Sequence, residues 1–321
     1  MRKQCLLIVA MVSCVTANLH AETVFVTLEK DNAIAVVDPV AGKLVKTIPV
    51  GQRPRGISVS PDQNSLFVAT SDDNTIRILD ANSLKETGRL PSGEDPETFA
   101  LSPDGKWMYV SNEDDSAVTL IDIVNKKAQQ KIKVGVEPEG IAASNDNHWL
   151  VSASETTNML HWIDLNTRQI VENTLVDPRP RAASFTADSQ QLWATSEMAG
   201  TVMVLDSSNQ QIIQTIKLEV AGLSSDLIQP VGVIVDKDRR YAYVAMGPAN
   251  RVAVINSQTY QVEKYLLVGQ RVWNLAFSPD QQRLYTTNGI SNDLSIIDLN
   301  NLTVTKSIAV GRYPWGVAVK P

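Results

Sequence analysis

The sequence predicts an all-β, seven-bladed β-propeller of four-stranded antiparallel blades, and three observations lead there. A Pro-x-Gly phrase begins at position 54 and returns at 96, 138, 180, 230, 272 and 314, so its steps are 42, 42, 42, 50, 42 and 42 residues. Asp38, Asp80, Asp122, Asp164, Asp206, Asn256 and Asp298 each close an apolar run with a matching step. A Ser-Pro-Asp turn at 60–62, 102–104 and 278–280 persists in altered form at 144–146, 186–188 and 236–238. Self-similarity at forty-odd residues, built from short β-branched runs, is the mark of a radial β repeat.

One period holds four strands. Residues 56–60 ("GISVS") form the first, and "SPDQN" turns the chain, since Pro and Asp suit type I geometry. Residues 66–70, 75–80 and 86–90 form the second, third and fourth. The remaining second strands begin with "TVFVTL" at 23–28 and end with "RLYTTN" at 283–288. The one long step holds an eight-residue insertion within "EVAGLSSDL", residues 219–227. The last copy stops after one strand, residues 316–320, whereas the chain's first three strands, within 23–50, lack an inner partner. Pairing the two ends completes a seventh blade and leaves no open gap in the ring. Residues 22–321 are therefore expected to be one domain.

The first 21 residues read as a signal peptide. Arg2 and Lys3 precede an apolar run from Cys5 to Ala17, with cleavage expected after Ala21. The run is too short to span a bilayer comfortably. Lipid attachment at Cys14 is the competing reading, against which the apolar run before it is short. Export places the protein in the periplasm. Removing residues 1–21 takes away both cysteines and leaves 27 Lys and Arg against 35 Asp and Glu, a formal charge of −8. That excludes disulfides, thiolate chemistry and Cys-ligated zinc, and it argues against nucleic-acid binding.

Written out by blade, the chain resembles the YVTN-repeat β-propellers. "MYVSN" at 108–112 and "AYVAM" at 242–246 carry the motif, beside the Ser-Pro-Asp turns and the Val-Gly steps. In length and layout it is most similar to exported β-propeller proteins associated with PQQ-dependent catabolism. That resemblance implies a non-enzymatic binding or scaffolding protein, accessory to quinoprotein alcohol oxidation. It implies no cofactor on this chain, PQQ being associated through a partner such as a quinoprotein dehydrogenase or a transporter component. The rivals are a propeller subunit of a quinone-cofactor amine dehydrogenase and a lactonase-like enzyme. Repeat residues transfer a fold, not an active site.

Few residues offer chemistry. His148 and His161 are the histidines left after residue 21, and each reads as a turn or packing residue, so no catalytic residue is assigned. Asp72-Asp73 and Asp114-Asp115 raise calcium, but they match no known loop spacing and suit tight turns, so no metal is assigned.

The mouth of the central channel is more informative. The position after the repeat proline runs Arg55, Glu97, Glu139, Arg181, Val231, Trp273, Trp315 around the ring. Two residues earlier it runs Arg53, Asp95, Glu137, Arg179, Gln229, Arg271, Tyr313. Arg53, Arg55, Arg271, Trp273, Arg312 and Trp315 are thus expected to form a basic, aromatic arc. Glu94, Asp95, Glu97, Glu137 and Glu139 form an acidic arc opposite. Variation against a repeating scaffold marks this mouth as the binding site. Inter-blade pairing of Arg55 with Glu97 and of Glu139 with Arg181 is the competing account, and exposed pairs would contribute about 0–1 kcal/mol each. Arg271 and Arg312 have no evident partner. A partner protein or a small anionic aromatic ligand would suit the basic arc, and no membrane span is expected.

Overall fold

The computed structural model describes residues 22–321, so the signal-peptide and Cys14 expectations lie outside the described residues. Blade 1 holds β1 (Thr23–Leu28), β2 (Ala33–Asp38) and β3 (Lys43–Pro49), and blade 2 holds β4 (Pro54–Val59), β5 (Ser65–Thr70), β6 (Thr75–Asp80) and β7 (Glu86–Pro91). Blade 3 is β8 (Pro96–Leu101), β9 (Trp107–Asn112), β10 (Ala117–Asp122) and β11 (Lys127–Lys133). Blade 4 is β12 (Pro138–Ala143), β13 (Trp149–Ser154), β14 (Met159–Asp164) and β15 (Gln169–Leu175). Blade 5 is β16 (Pro180–Phe185), β17 (Gln191–Ser196), β18 (Thr201–Asp206) and β19 (Ile212–Lys217). Blade 6 is β20 (Val233–Val235), β21 (Tyr241–Ala245), β22 (Arg251–Asn256) and β23 (Val262–Leu267). Blade 7 is β24 (Val272–Phe277), β25 (Arg283–Asn288), β26 (Asp293–Asp298) and β27 (Thr303–Ala309).

The ring closes as the sequence requires. β28 (Pro314–Lys320) joins blade 1 in the order β28-β1-β2-β3. It runs antiparallel to β1, with Thr23 opposite Lys320 and Val26 opposite Val317. The seven sheets are otherwise built from consecutive strands. The insertion makes one turn of 3-10 helix at Ser225–Leu227, and β20 behind it is cut to three residues.

Each blade buries both faces against its neighbours, which explains the unbroken apolar character of the second and third strands. Alternation along β1 sends Val24, Val26 and Leu28 toward Tyr285, Leu294 and Ile296 of blade 7. It sends Phe25 the other way, toward Leu66, Val68 and Leu79 of blade 2. The repeated Asp has a local task. Its carboxylate accepts backbone N–H groups of the turn between third and fourth strands, as Asp80 does from Ser83 and Asp298 from Asn300.

The glycine of Pro-x-Gly is required by close approach of the inner strands. A Cβ on Gly140, Gly232 or Gly316 would lie 2.4 to 2.6 Å from a backbone carbonyl of the next blade. At two of the three positions where the repeat replaces this glycine, the side chain bonds that carbonyl instead; at Ala182 the Thr195 hydroxyl reaches the Val231 carbonyl. Thr98 donates to Glu139 O, and Asn274 donates to Trp315 O at 3.0 Å. The channel wall is thereby stitched blade to blade.

Candidate functional site

Loops from second to third strands and from fourth strands to the next blade open on one face. Backbone hydrogen bonds fasten the two kinds together. The residue just before the repeat proline position takes a left-handed φ at Arg53, Asp95, Glu137, Arg179, Arg271 and Tyr313. Its carbonyl accepts the N–H of the first residue after a second strand: Glu113 to Asp95 at 3.0 Å, Glu155 to Glu137 at 2.9 Å, Glu197 to Arg179 at 2.8 Å. Its own N–H donates to an asparagine side chain of the second-to-third-strand loop, Asn32 for Arg53 and Asn250 for Arg271. The funnel is therefore built from three rings of repeat positions. The two legible in the sequence are joined by a third, Glu29, Ser71, Glu113, Glu155, Glu197, Gly247 and Gly289.

That third ring was the missed one, although it recurs with the same 42-residue step. It reverses the electrostatics. The first two rings hold five arginines and four carboxylates, and the third adds four carboxylates and no base. Its two glycines make room. A Cβ on Gly289 would lie 2.5 Å from Trp273 Nε1, and one on Gly247 2.6 Å from Gln229 O.

The two expected arcs do not stand apart. Arg55 Nη1 lies 2.7 Å from Glu97 Oε2, and Arg181 Nη2 lies 2.8 Å from Glu139 Oε1. Arg53 pairs with Asp95, reaches Glu97 at 3.3 Å and holds Asp72 at 2.9 Å. Arg179 lies between Glu155 at 2.9 Å and Glu197 at 3.1 Å. Arg181 also pairs with Glu155. The inter-blade pairing account is correct for both predicted pairs, but the pairs are buried, not exposed: Glu97 is 0% and Arg181 9% accessible.

Two further expectations are corrected. Arg271 is not unpartnered: Nη2 lies 3.0 Å from Glu197 Oε1 and Nη1 donates to Gln229 Oε1 at 2.9 Å. Arg312 is not unpartnered either. It points away over the rim, 68% exposed, and pairs with Asp31 at 2.6 Å. The tryptophans are capped by these same arginines. Arg271 lies 4.3 Å and Arg181 5.7 Å from the Trp273 ring, and Arg55 lies 5.1 Å from that of Trp315. Trp315 is buried in the channel wall. A basic arc with spare charge for an anionic aromatic ligand therefore does not exist. Its guanidinium groups are committed to carboxylates, Asp95 and Glu97 of the acidic arc and, beyond it, Asp72, Glu197 and Asp31.

Two cavities follow the axis. The funnel, about 350 Å³, is lined by Arg53, Asp95, Glu137, Glu155, Arg271 and Trp273 among others. The channel beneath, about 140 Å³, is lined by Thr98, Ile141, Asn274 and Trp315, and Glu139, Arg181 and Trp273 border both. Asp95, Glu97 and Glu113 bring carboxylate oxygens within 4.8 Å of one another. Arg53 and Arg55 already pair with Asp95 and Glu97 of that cluster. Of the calcium candidates, Asp72, Asp73 and Asp115 pair with Arg53, Arg77 and Lys131, and Asp114 stands exposed.

Crowded carboxylates share a proton. Burial and a hydrogen bond to Glu139 push the Glu155 carboxyl up to about 9, whereas Arg181 and the bond from Glu155 help hold Glu139 below the usual carboxylate range against its burial. Between the ordinary value and 9 the folded chain keeps a proton that the unfolded chain releases. Stability from this group is complete below about pH 4.5 and is lost as pH rises toward 9. Thermal melts from pH 5 to 9 should show that decline, and Glu155→Gln, which keeps a donor facing Glu139, should flatten it. An unchanged slope in the variant would place the titration elsewhere.

The histidines lie apart from the funnel cavity. His161, on β14, accepts the Gly135 N–H at Nε2 and bonds Asn173 at Nδ1. His148 lies on the opposite face, stacked on Trp149 at 4.2 Å.

Comparison with known proteins agrees with this architecture. A family model described as YNCE-like beta-propeller matches residues 3–112, and one described as Cytochrome D1 heme domain matches residues 61–183. No curated protein matches. Among solved structures, Kuenenia stuttgartiensis hydrazine synthase superposes with a TM-score of 0.79 at 18% identity, over 86% of this chain and 92% of that one. A functionally unknown protein from Desulfotomaculum acetoxidans DSM 771 gives 0.79 at 14% identity, over 92% and 98%. Dihydro-heme d1 dehydrogenase NirN, in complex with DHE, gives 0.67 at 17% identity, and this chain, matched over 89% of its length, spans 63% of that one. At these identities the likeness is one of fold. The funnel does not fit a haem: among the described residues no histidine lines it, and an ion-pair lattice crosses it. No helix among the described residues is long and apolar enough to cross a membrane.

Proposed function

We propose that this chain is a binding or scaffolding propeller, exported to the periplasm, whose funnel face receives a partner protein. The observation that carries this reading is the contrast between scaffold and mouth. Strands, turns and inter-blade stitching repeat seven times, whereas the three funnel rings differ in every blade and are locked in place by buried ion pairs. A rigid mouth lowers the ordering cost of binding. The resemblance to quinoprotein-associated propellers supplies the setting, alcohol oxidation by a PQQ enzyme, with the partner a dehydrogenase or a transporter component. A lactonase-like enzyme would need a catalytic constellation that no group of funnel residues favours, and an amine dehydrogenase propeller subunit would need a separate cofactor-bearing chain.

A photo-crosslinking amino acid placed at Ile290 or Tyr313, both on the funnel rim and exposed, should join the chain to a discrete partner in cells oxidising an alcohol. The same group at Val124, on the opposite face, should not. Mass spectrometry of the adduct tests the quinoprotein assignment. Adducts from Val124 alone would show that the wrong face was chosen.

A further inference from the structure

We infer that the partner docks through a basic surface, with lysine or arginine side chains over blades 3 and 4 and apolar side chains on the rest of the rim. This rests on the binding reading above and names the chemistry of the partner.

The charge count comes first. Five arginines face eight carboxylates in the three funnel rings, of which burial holds Glu97, Glu113 and Glu155 above the usual carboxylate range, and Arg53, Arg55, Arg179, Arg181 and Arg271 all lie in ion pairs. Rim cations are also engaged, Lys30 with Glu29, Arg312 with Asp31 and Lys131 with Asp115, while Lys133 donates to the Asp115 carbonyl. The acids left without a counter-ion collect on one side. Glu94 and Asp114, both of blade 3, are exposed and have no side-chain partner among the described residues. Glu137 of blade 4 accepts only the Thr156 hydroxyl.

An acidic rim alone would be a solvated surface. Here it shares a face with large exposed apolar side chains: Val136 beside Glu137 at 47%, Met198 at 73%, Ile290 at 54% and Tyr313 at 40% accessible. Apolar groups ringed by charge mark protein contact surfaces. The spread of these groups around the mouth demands an extended occupant. A small ammonium ion would meet the acids and leave the apolar rim bare.

The probe is a synthetic twelve-residue peptide of alternating Lys-Leu and Lys-Trp pairs, read by fluorescence polarisation and by hydrogen exchange on the full chain. Glu94→Lys with Asp114→Lys should weaken it at least tenfold. Glu172→Lys with Asp238→Lys changes net charge equally, on an outer edge strand and on the opposite face, and should leave binding within twofold. Bound peptide should protect amides at 93–95, 113–116 and 135–137. Equal losses in both double variants, or protection elsewhere, would overturn the inference and reduce the effect to bulk charge. If rim crosslinking captures a partner whose binding survives Glu94→Lys with Asp114→Lys, the basic-surface inference fails and the binding reading stands. If no rim adduct forms, the binding reading fails on its own test.

Discussion

Deleting residues 313–321 is expected to give a chain that does not reach the native ring. The segment carries all of β28, the inner strand of blade 1. It holds the ladder with β1, the N–H of Gly316 donated to Thr27 Oγ1 at 2.8 Å, and the Trp315 carbonyl that takes Asn274 and Thr287 from blade 7. Each net hydrogen bond contributes about 0.5–1.5 kcal/mol, and a whole domain retains about 5–15 kcal/mol. Losing the ladder also bares the β1 edge and the channel-facing surface of blades 7 and 2. The truncated chain should be insoluble, or show no cooperative melt by circular dichroism. Two control deletions separate closure from mere shortening: removing Pro321 should change nothing, and removing 219–226, outside the strands, should leave a cooperative transition. A chain ending at Arg312 that melts within a few degrees of the full protein would show that ring closure is dispensable.

The fold was legible because a propeller writes its period into the chain. The predicted 23–28, 75–80 and 283–288 coincide with β1, β6 and β25, and the other strand ends moved by one or two residues. The inner strands moved most, starting at the repeat proline and not at the glycine, since Pro54 already pairs with Thr70. The site was legible in position but not in chemistry. Ring positions after and before the proline were found because they vary beside a fixed marker. The ring of Glu29, Glu113, Glu155 and Glu197 has no such marker, and it follows strands of differing sequence. Without it the arginines looked available. Pair geometry was the other loss. Neighbouring blades were expected to make weak exposed pairs, whereas the inner strands carry these groups below the surface. Arg55, Arg271 and Trp315, expected as a basic, aromatic arc, are held in ion pairs and ring contacts that build the funnel. Arg312, expected to line the mouth, is a rim residue.

Arg181→Ala is expected to destabilise the ring by about 3–5 kcal/mol, the usual cost of breaking a buried ion pair from one side. The residue is almost inaccessible and serves three carboxylates, Glu139 at 2.8 Å, Glu155 and Glu197 at 3.6 Å, while its guanidinium lies over Trp273. Removing it strands the ionised Glu139 without water or counter-charge. Two to four degrees per kcal/mol, typical of a chain somewhat smaller than this one, puts the shift in melting temperature on the order of ten degrees. Arg312→Ala is the matched control. Its pair with Asp31 is exposed, worth no more than about 1 kcal/mol, and should barely register. Salt separates the two further, because exposed charges are screened within about 8–10 Å and buried ones much less. The Arg181 deficit should persist in 1 M sodium chloride. Adding Glu139→Gln and Glu155→Gln to Arg181→Met removes the stranded charge and should recover most of the loss. If Arg181→Ala melts within 1 kcal/mol of the parent, the lattice is no more than a set of surface contacts. The funnel arginines would then be free to bind after all.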